Sequence, residues 1–199
     1  MIAAGRVCGA CALVLALGCT PGELDDQFAE TSDGDHQHEA PAAHAVIPLP
    51  LVATDDWRPG SAQDDPLRHE RPATIDCPVA AWGPELGGLE VQTGSCGYFH
   101  VVQPSLVTIA PGDLIEVVVF HDRLDAAEAS EGHVAVMLGD EVIWEQHVDI
   151  PSDAAVLEER WFADRAWPAG TRVGIHLHNH GYNAWTVLEL TVLPSVPQR

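Results

Sequence analysis

Three histidines at alternating positions, His176, His178 and His180, are the residues of this sequence whose types and spacing best suit chemistry. Residues i, i+2 and i+4 of a β-strand point to the same side, so this spacing predicts a row of three imidazoles. One metal ion cannot take all three, because strand rise sets the outer pair about 13 Å apart at Cβ and Zn–N bonds measure about 2.0–2.1 Å. The spacing therefore predicts that any zinc or copper site uses His176 with His178, or His178 with His180.

Such a site needs ligands from a neighbouring strand. The candidates are His121, at the end of one predicted strand, and His133, at the start of another. The competing interpretation is a polar face whose histidines hydrogen-bond locally and hold no metal. Separately, the acidic loop at residues 122–125 offers the carboxylate oxygens that a structural calcium prefers. The sequence thus leaves zinc, copper and calcium open beside a protein without any cofactor.

Trp185 and Glu189 form a second group of candidates, in the last apolar segment of the chain. If an even loop joins residues 175–180 to residues 185–192 as a hairpin, the register puts Trp185 and Glu189 on the histidine face. An odd loop would bury the histidines among leucines, which is costly without partners. Trp185, His178 and Glu189 are therefore predicted to share a ligand-binding face, on which the tryptophan offers a sugar ring a rigid platform.

Signatures of common catalytic sites are missing from the sequence. Ser95 stands in Thr-Gly-Ser-Cys-Gly, which is not a nucleophile elbow, and the pair His69-Glu70 lacks the second histidine of a zinc-protease motif. There is no glycine-rich phosphate loop and no EF-hand loop. The sequence predicts a protein that binds rather than one that catalyses.

The charge of the chain argues against one large class of partner. Nine Lys+Arg against 30 Asp+Glu give a formal net charge of −21. Phosphate binding needs a cationic face, so the composition predicts no nucleic-acid partner. Electrostatic adsorption to anionic lipid is disfavoured for the same reason. Contact with a membrane would have to come from a lipid anchor.

The N-terminus has the organisation of an exported precursor. Arg6 is the only charge before an apolar run at residues 10–17, which Gly18 and Cys19 close. This is the pattern of a secretory signal, and the run is too short for a transmembrane helix, which needs about 20 residues. Residues 15–19, Leu-Ala-Leu-Gly-Cys, resemble the lipobox of bacterial lipoproteins, although alanine stands where that motif has leucine three places before the cysteine.

This resemblance implies that signal peptidase II removes residues 1–18 as a signal peptide and that Cys19 then carries a thiol-linked diacylglycerol. Thr20 rather than aspartate follows the cysteine, which by the family's sorting rule implies the outer membrane of a Gram-negative cell envelope. The alternative is an ordinary cleaved signal with a chance cysteine. Two cysteines, Cys77 and Cys96, then remain in the exported part, and an even pair in an oxidising compartment predicts a disulfide rather than two buried thiols.

The rest of the chain divides at about residue 74. Residues 19–74 carry acidic clusters and a Pro/Ala stretch without apolar periodicity, which predicts a disordered acidic tether. Residues 75–196 alternate short apolar runs with Gly/Pro turns, which predicts one antiparallel β-sandwich domain, with a short helical turn at residues 124–130. The predicted strands are residues 89–93, 98–102, 106–109, 114–120, 133–138, 142–147, 156–162, 171–177 and 185–192.

The end of this domain carries a second resemblance. Residues 185–192 read Trp-x-x-Leu-x-Leu-x-Val after a polar turn, and resemble the closing strands of galactose-binding-like jelly-roll domains, which include many carbohydrate-binding modules. The resemblance implies a jelly-roll-like sandwich with a glycan or small-molecule ligand. The leading hypothesis is a membrane-anchored, non-enzymatic binding module. The alternatives are a metal-binding protein or metal-dependent hydrolase on the histidine strand, and a structural envelope protein.

The lipid anchor generates the first prediction. In the Cys19→Ala variant the thiol that accepts the lipid is missing, so the protein should appear in the soluble envelope fraction and remain uncut by signal peptidase II. Fractionation and mass spectrometry of the N-terminal peptide measure both effects. A Cys19→Ala variant that is processed normally and stays with membranes would remove the anchor.

Overall fold

A computed structural model describes residues 46–195, so residues 1–18, Cys19 and the first part of the predicted tether lie outside the described residues, as does Val196. Within this range no helix is long and apolar enough to span a membrane. Two short 3₁₀ helices, Arg68–Glu70 and Val79–Ala81, accompany eleven strands. The strands are β1 (Leu49–Pro50), β2 (Arg58–Pro59), β3 (Trp82–Glu85), β4 (Gly88–Gln92), β5 (Tyr98–Pro104), β6 (Leu114–His121), β7 (Ser130–Leu138), β8 (Glu141–Ile150), β9 (Ala155–Phe162), β10 (Arg172–Asn179) and β11 (Ala184–Leu193).

The strands form two antiparallel sheets, which confirms the predicted all-β sandwich. Sheet A has the order β3-β4-β11-β6-β9, with β1 paired to β11, and sheet B has the order β2-β5-β10-β7-β8. From β4 onward the chain passes back and forth between the sheets, leaving only β7 and β8 as consecutive partners in one sheet. This repeated crossing is the jelly-roll-like character that the sequence predicts.

Alternate residues of the strands fill the space between the sheets. Val117 and Val119 of β6 and Ile175 and Leu177 of β10 are each at most 2% exposed and belong to one apolar cluster. Burying such a side chain stabilises the fold by about 1.5–3 kcal/mol, so these positions determine which side of each strand faces the core. The intervening residues of β10, the histidines, must therefore point to the outer face of sheet B.

The hairpin between β7 and β8 follows directly from its turn residues. Leu138 pairs with Glu141 across Gly139 and Asp140. Gly139 has a φ of 62°, a backbone conformation that glycine adopts at no steric cost. Two other local predictions are wrong: residues 106–109 form no strand beyond an isolated bridge at Ile109, and residues 124–130 contain no helical turn but bridges at Leu124 and Asp125.

The predicted closing hairpin is also wrong. β10 and β11 follow each other along the chain but lie in different sheets, so residues 180–183 are a crossing between the layers and set no hairpin register. In addition, the pairing of β11 with β6 shifts between Val187 and Glu189, which marks a β-bulge at Leu188. One extra residue reverses the facing of everything before it. Trp185 therefore points inward together with Leu190 and Val192, and all three are buried.

Ordered structure begins well before the predicted domain boundary at residue 74. β1 and β2 add to sheets A and B, and residues 60–81, here called the covering loop, then lead from the edge of sheet B to β3 of sheet A. The predicted disulfide is confirmed, and Cys77–Cys96 ties the covering loop to the turn between β4 and β5. The acidic composition of this segment does not prevent order, because its carboxylates find partners on sheet B.

The covering loop approaches sheet B closely at Gly60, which generates a prediction. A Cβ at Gly60 would lie 2.3 Å from Cδ2 of the buried His100 ring, so Gly60→Ala should lower the free energy of unfolding by about 1–3 kcal/mol through overpacking. Gly83→Ala is the matched control, because a Cβ at Gly83 meets nothing within 4 Å. Urea unfolding of the two variants measures the difference, and equal stabilities would show that the loop does not press on His100.

Candidate metal centre

The outer face of sheet B is lined by a two-dimensional array of histidines. His176 on β10 is the register partner of His100 on β5, and the neighbouring His178 pairs with His133 on β7. His133 in turn pairs with His147 on β8. Antiparallel partners point to the same side of a sheet at about 4.5–5.5 Å between Cβ atoms. Strand alternation and register together therefore gather imidazoles from four adjacent strands.

The covering loop brings one carboxylate onto this array. Glu70, at the end of the 3₁₀ helix, lies with its oxygens 3.0 Å from His133 Nδ1, 3.2 Å from His176 Nε2 and 3.1 Å from His178 Nδ1. His176 is fully buried, His133 is 5% exposed, and the Glu70 side chain is 20% exposed. Three imidazole nitrogens from two strands thus converge on a single carboxylate that is largely shielded from water.

A second carboxylate fixes the orientation of the central histidine. Asp65 is completely buried, and its Oδ2 accepts hydrogen bonds from the Tyr98 hydroxyl and from His176 Nδ1 at 3.2 Å. Its Oδ1 accepts from the backbone N–H of Leu67 at 2.8 Å. Because a carboxylate only accepts, His176 Nδ1 must carry the proton. The lone pair of His176 Nε2 is then directed at Glu70.

This arrangement places acceptors opposite each other. His176 Nε2, once Nδ1 is protonated, offers a lone pair to the Glu70 carboxylate, which offers another. His133 is similar, because its Nδ1 faces Glu70 at 3.0 Å and its Nε2 faces Glu145 at 3.2 Å. Such contacts are stable only with a cation between the acceptors. That cation is either a second proton on each ring or a metal ion bound by Glu70, His133 and His176.

The distances suit a metal. One ligand atom from each of Glu70, His133 and His176 lies within 4.8 Å of the others. Ligands of a tetrahedral zinc with bonds of about 2.0–2.1 Å are separated by about 3.3 Å, close to the 3.0 Å and 3.2 Å from the Glu70 oxygens to His133 Nδ1 and His176 Nε2. At zinc sites, a ligating histidine usually donates its other ring N–H to a carboxylate. Asp65 has that position relative to His176. A second group, His133, Glu145 and His147, also has ligand atoms within 4.8 Å of one another. The His133 and His147 rings are stacked 4.0 Å apart, so their lone pairs do not converge.

The electrostatics favour ionised acids at this site. Burial acts to raise the pKa of the Asp65 carboxyl, but the hydrogen bonds from His176 and Tyr98 lower it well below its ordinary value. Burial also acts to raise the pKa of the Glu70 carboxyl, but the contacts with His133 and His176 outweigh burial and lower that pKa. Burial lowers the pKa of His178. Ionised carboxylates and neutral imidazoles are the states that bind metals.

The structure brings together three of the five predicted metal ligands and separates the other two. His176, His178 and His133 surround Glu70. His180 is exposed at the edge of the array, with its ring 4.5 Å from that of His178. His121 lies at the end of the core, 1% exposed, against the ring of Trp185 and with its Nδ1 2.9 Å from the Asp122 carbonyl. The prediction of His121 as a ligand beside the histidine row is therefore wrong.

The predicted ligand face of Trp185, His178 and Glu189 does not exist as one surface. The Trp185 ring is 2% exposed, and its indole N–H donates to the side-chain oxygen of Asn179 at 3.2 Å. Glu189 is exposed on sheet A, whereas His178 lies on the outer face of sheet B. The inter-sheet crossing and the bulge at Leu188 explain the error, because both alter the facing that an even hairpin would impose. Trp185 is a core residue and cannot stack on a sugar.

Sequence reasoning missed the two acids that complete the site. Asp65 and Glu70 lie in the stretch predicted to be a tether, and the pair His69-Glu70 suggested only an incomplete protease motif. A usable signal was nearby: an apolar and proline-containing stretch at residues 46–59 precedes them, which is atypical of a freely solvated acidic linker.

Comparison with known proteins adds little to this geometry. No protein-family model matches the sequence, and no curated protein matches it significantly. Among solved structures, similarity is found to a CBM4 carbohydrate-binding module (13% identity, covering 72% of this chain and 97% of that chain, TM-score 0.39). Similarity is also found to TmCBM61 in complex with β-1,4-galactotriose (6% identity, covering 69% of this chain and 95% of that chain, TM-score 0.37). A family 16 carbohydrate-binding module is similar as well (10% identity, covering 72% of this chain and 99% of that chain, TM-score 0.37). At these identities and TM-scores the similarities assign neither a family nor a ligand to this chain.

The buried Asp65 generates a pH prediction. Its pKa is lower in the folded than in the unfolded protein, so the stability that it contributes is complete above the ordinary aspartate pKa of 3.8 and is lost as the pH falls below that value. In chelator-treated protein, Asp65→Asn should be less stable at neutral pH and should lose less on acidification below about pH 4. Asp164→Asn, whose side chain is 86% exposed, serves as the control. Parallel urea-derived profiles for wild type and Asp65→Asn would contradict the assignment.

Proposed function

We propose that this protein is a non-enzymatic metal-binding module of the cell envelope, which holds one divalent transition-metal ion between Glu70, His133 and His176. The observation that carries the proposal is the convergence of three imidazole nitrogens on the single carboxylate of Glu70 at 3.0–3.2 Å. His178 is the nearest further ligand. This is the metal alternative of the sequence analysis, with Glu70 in place of His121 and His180.

The donor set indicates the class of metal. Imidazole and carboxylate ligands suit zinc and copper(II), whereas calcium and magnesium take oxygen ligands almost exclusively. Thiolate-dependent binding of soft ions has no support in residues 46–195, because Cys77 and Cys96 are joined in the disulfide. Zinc or copper(II) is therefore the expected ion, with the acidic loop at residues 122–125 playing no part in this site.

Burial of the ligands favours binding over hydrolysis. A hydrolytic metal site needs an open coordination position that substrate and water can reach. Here His176 is fully buried, and the covering loop lies over the array. Asp65 locks His176 from behind, as expected where a ligand must be held rather than moved. We infer a carrier, buffer or structural role for the metal.

We propose that the protein binds its metal at the membrane surface. After removal of the predicted signal peptide, the lipid on Cys19 would anchor the chain, with an outer-membrane location implied by Thr20. A net charge of −21 attracts divalent cations to the neighbourhood of such a module. It also keeps the domain away from anionic headgroups.

A glycan ligand remains a prediction without an assigned residue. Trp185 was the predicted stacking surface for a sugar ring, and it is buried. A sandwich fold by itself does not imply sugar binding. A purely structural envelope role is the outcome to be accepted if neither metal nor sugar binds.

Metal titration of full-length protein in detergent tests the proposal. Wild type should bind about one zinc ion at micromolar concentration. Glu70→Gln and His133→Asn should each weaken binding by more than about 10–100-fold, because each removes a direct ligand and loss of a ligand's hydrogen-bond partner alone costs that much. Bound zinc should also raise the unfolding midpoint, because the metal binds only the folded site.

His180→Ala is the matched control, because His180 lies in the same row but outside the three-residue site, and its affinity should equal that of wild type. Circular dichroism of Glu70→Gln establishes that the sandwich survives the change. Absence of micromolar zinc and copper binding by wild type would end the metal proposal. A larger loss in His180→Ala than in Glu70→Gln would place any metal elsewhere.

A further inference from the structure

A small cavity of about 100 Å³ lies beside the proposed metal site, between the covering loop and β5. Its wall includes Gly60, Arg71, Trp82, Tyr98 and His100. A water molecule takes up about 30 Å³ in the liquid, so the space suits a ligand of only a few non-hydrogen atoms. The proposed function makes no use of this cavity.

Two buried polar atoms belong to side chains that line it. Arg71 Nη1 and His100 Nε2 are both shielded from solvent, and neither has a hydrogen-bond partner within residues 46–195. His100 as a whole is 6% exposed. Buried polar groups in folded proteins are nearly always paired. Two unpaired groups on one cavity therefore indicate that the cavity is a place where something polar binds.

The chemistry of the two groups is complementary. His100 Nδ1 lies 3.1 Å from the carbonyl oxygen of Ile175, and since a carbonyl only accepts, Nδ1 donates and carries the proton. Burial lowers the pKa of His100, so the ring is neutral near pH 7 and Nε2 is an acceptor. The guanidinium of Arg71 is always charged and can only donate. A matching ligand must accept from Arg71 and donate to His100.

The surroundings hold Arg71 in place. The guanidinium carbon lies 5.5 Å from the centre of the Tyr98 ring, a cation–π contact, and Tyr98 is itself fixed by its hydrogen bond to Asp65. On the other side, Gly60 packs against the His100 ring, where a Cβ would lie 2.5 Å from Nε2. The polar groups are thus preorganised, with aromatic walls beside them.

We propose that this cavity binds a small oxyanion that carries its own O–H group, such as bicarbonate or a short 2-hydroxycarboxylate. The negative oxygens would accept from Arg71, and the O–H group would donate to His100 Nε2. An anion that lacks a donor would face the His100 lone pair with a lone pair of its own. The site should therefore discriminate between anions of equal size and charge by their ability to donate.

Matched pairs of anions test this in full-length, chelator-treated protein in detergent. The indole N–H signal of Trp82, assigned with Trp82→Phe, reports on the cavity wall in ¹H–¹⁵N spectra. Bicarbonate and glycolate should each shift it saturably. Nitrate, the planar counterpart of bicarbonate, and acetate, which is glycolate without its hydroxyl, should bind at least about tenfold more weakly because they leave His100 unpaired. A response to only one of bicarbonate and glycolate shows whether the cavity takes a carbonate or a 2-hydroxycarboxylate.

Four variants distinguish binding at this cavity from binding at the proposed metal site. Arg71→Gln should abolish the bicarbonate response, and Arg71→Lys, which keeps the charge without the planar fork, should weaken it while keeping the fold. Arg68→Gln, on the same loop but not on the cavity wall, should respond as wild type does. Glu70→Gln should also keep the response, so that loss of metal binding and loss of anion binding are separable. Equal affinity for bicarbonate and nitrate, no saturable shift in wild type, or an unchanged response in Arg71→Gln would each overturn the proposal.

Discussion

The pairing of buried carboxylates with imidazoles on the outer face of sheet B is the interaction on which the rest of this structure depends. A sheet face that carries His176, His133 and Tyr98 cannot be buried without partners, since an unpaired buried polar group costs about 1–3 kcal/mol. Asp65 and Glu70 supply those partners. Because both acids come from the covering loop, the same contacts that satisfy the histidines also hold the loop on the sheet.

This coupling explains why an acidic segment without apolar periodicity is ordered. The covering loop packs few large side chains of its own, and its 3₁₀ helix Arg68–Glu70 has no buried residue. Its attachment comes instead from directed polar contacts, from the disulfide between Cys77 and Cys96, and from the two-residue strand β2 on the edge of β5. Together these attachments hold the loop over the proposed metal ligands beneath it.

The loop also divides the outer face into two compartments with different chemistry. On the β7 side, Glu70 collects His133, His176 and His178 around a position suited to a cation. On the β5 side, Arg71, the next residue along the chain, lines a cavity with His100 that suits an anion. Tyr98 and Asp65 lie between the two, hydrogen-bonded to each other. Adjacent residues of one loop thus serve opposite charges because their side chains turn to opposite sides.

The sequence by itself determined the features that depend on local periodicity and composition. Alternating apolar residues predicted the strands, the Gly139-Asp140 pair predicted one hairpin, two cysteines predicted the disulfide, and the i, i+2 spacing put His176 and His178 on one face. Tertiary structure alone decided the rest. Asp65 and Glu70 lie 111 and 106 residues from His176 along the chain, and no periodic pattern encodes a pairing over that distance. The assignment of β10 and β11 to different sheets and the bulge at Leu188 decided that Trp185 is core, because facing in a sheet depends on register against partners that a single strand's sequence does not contain.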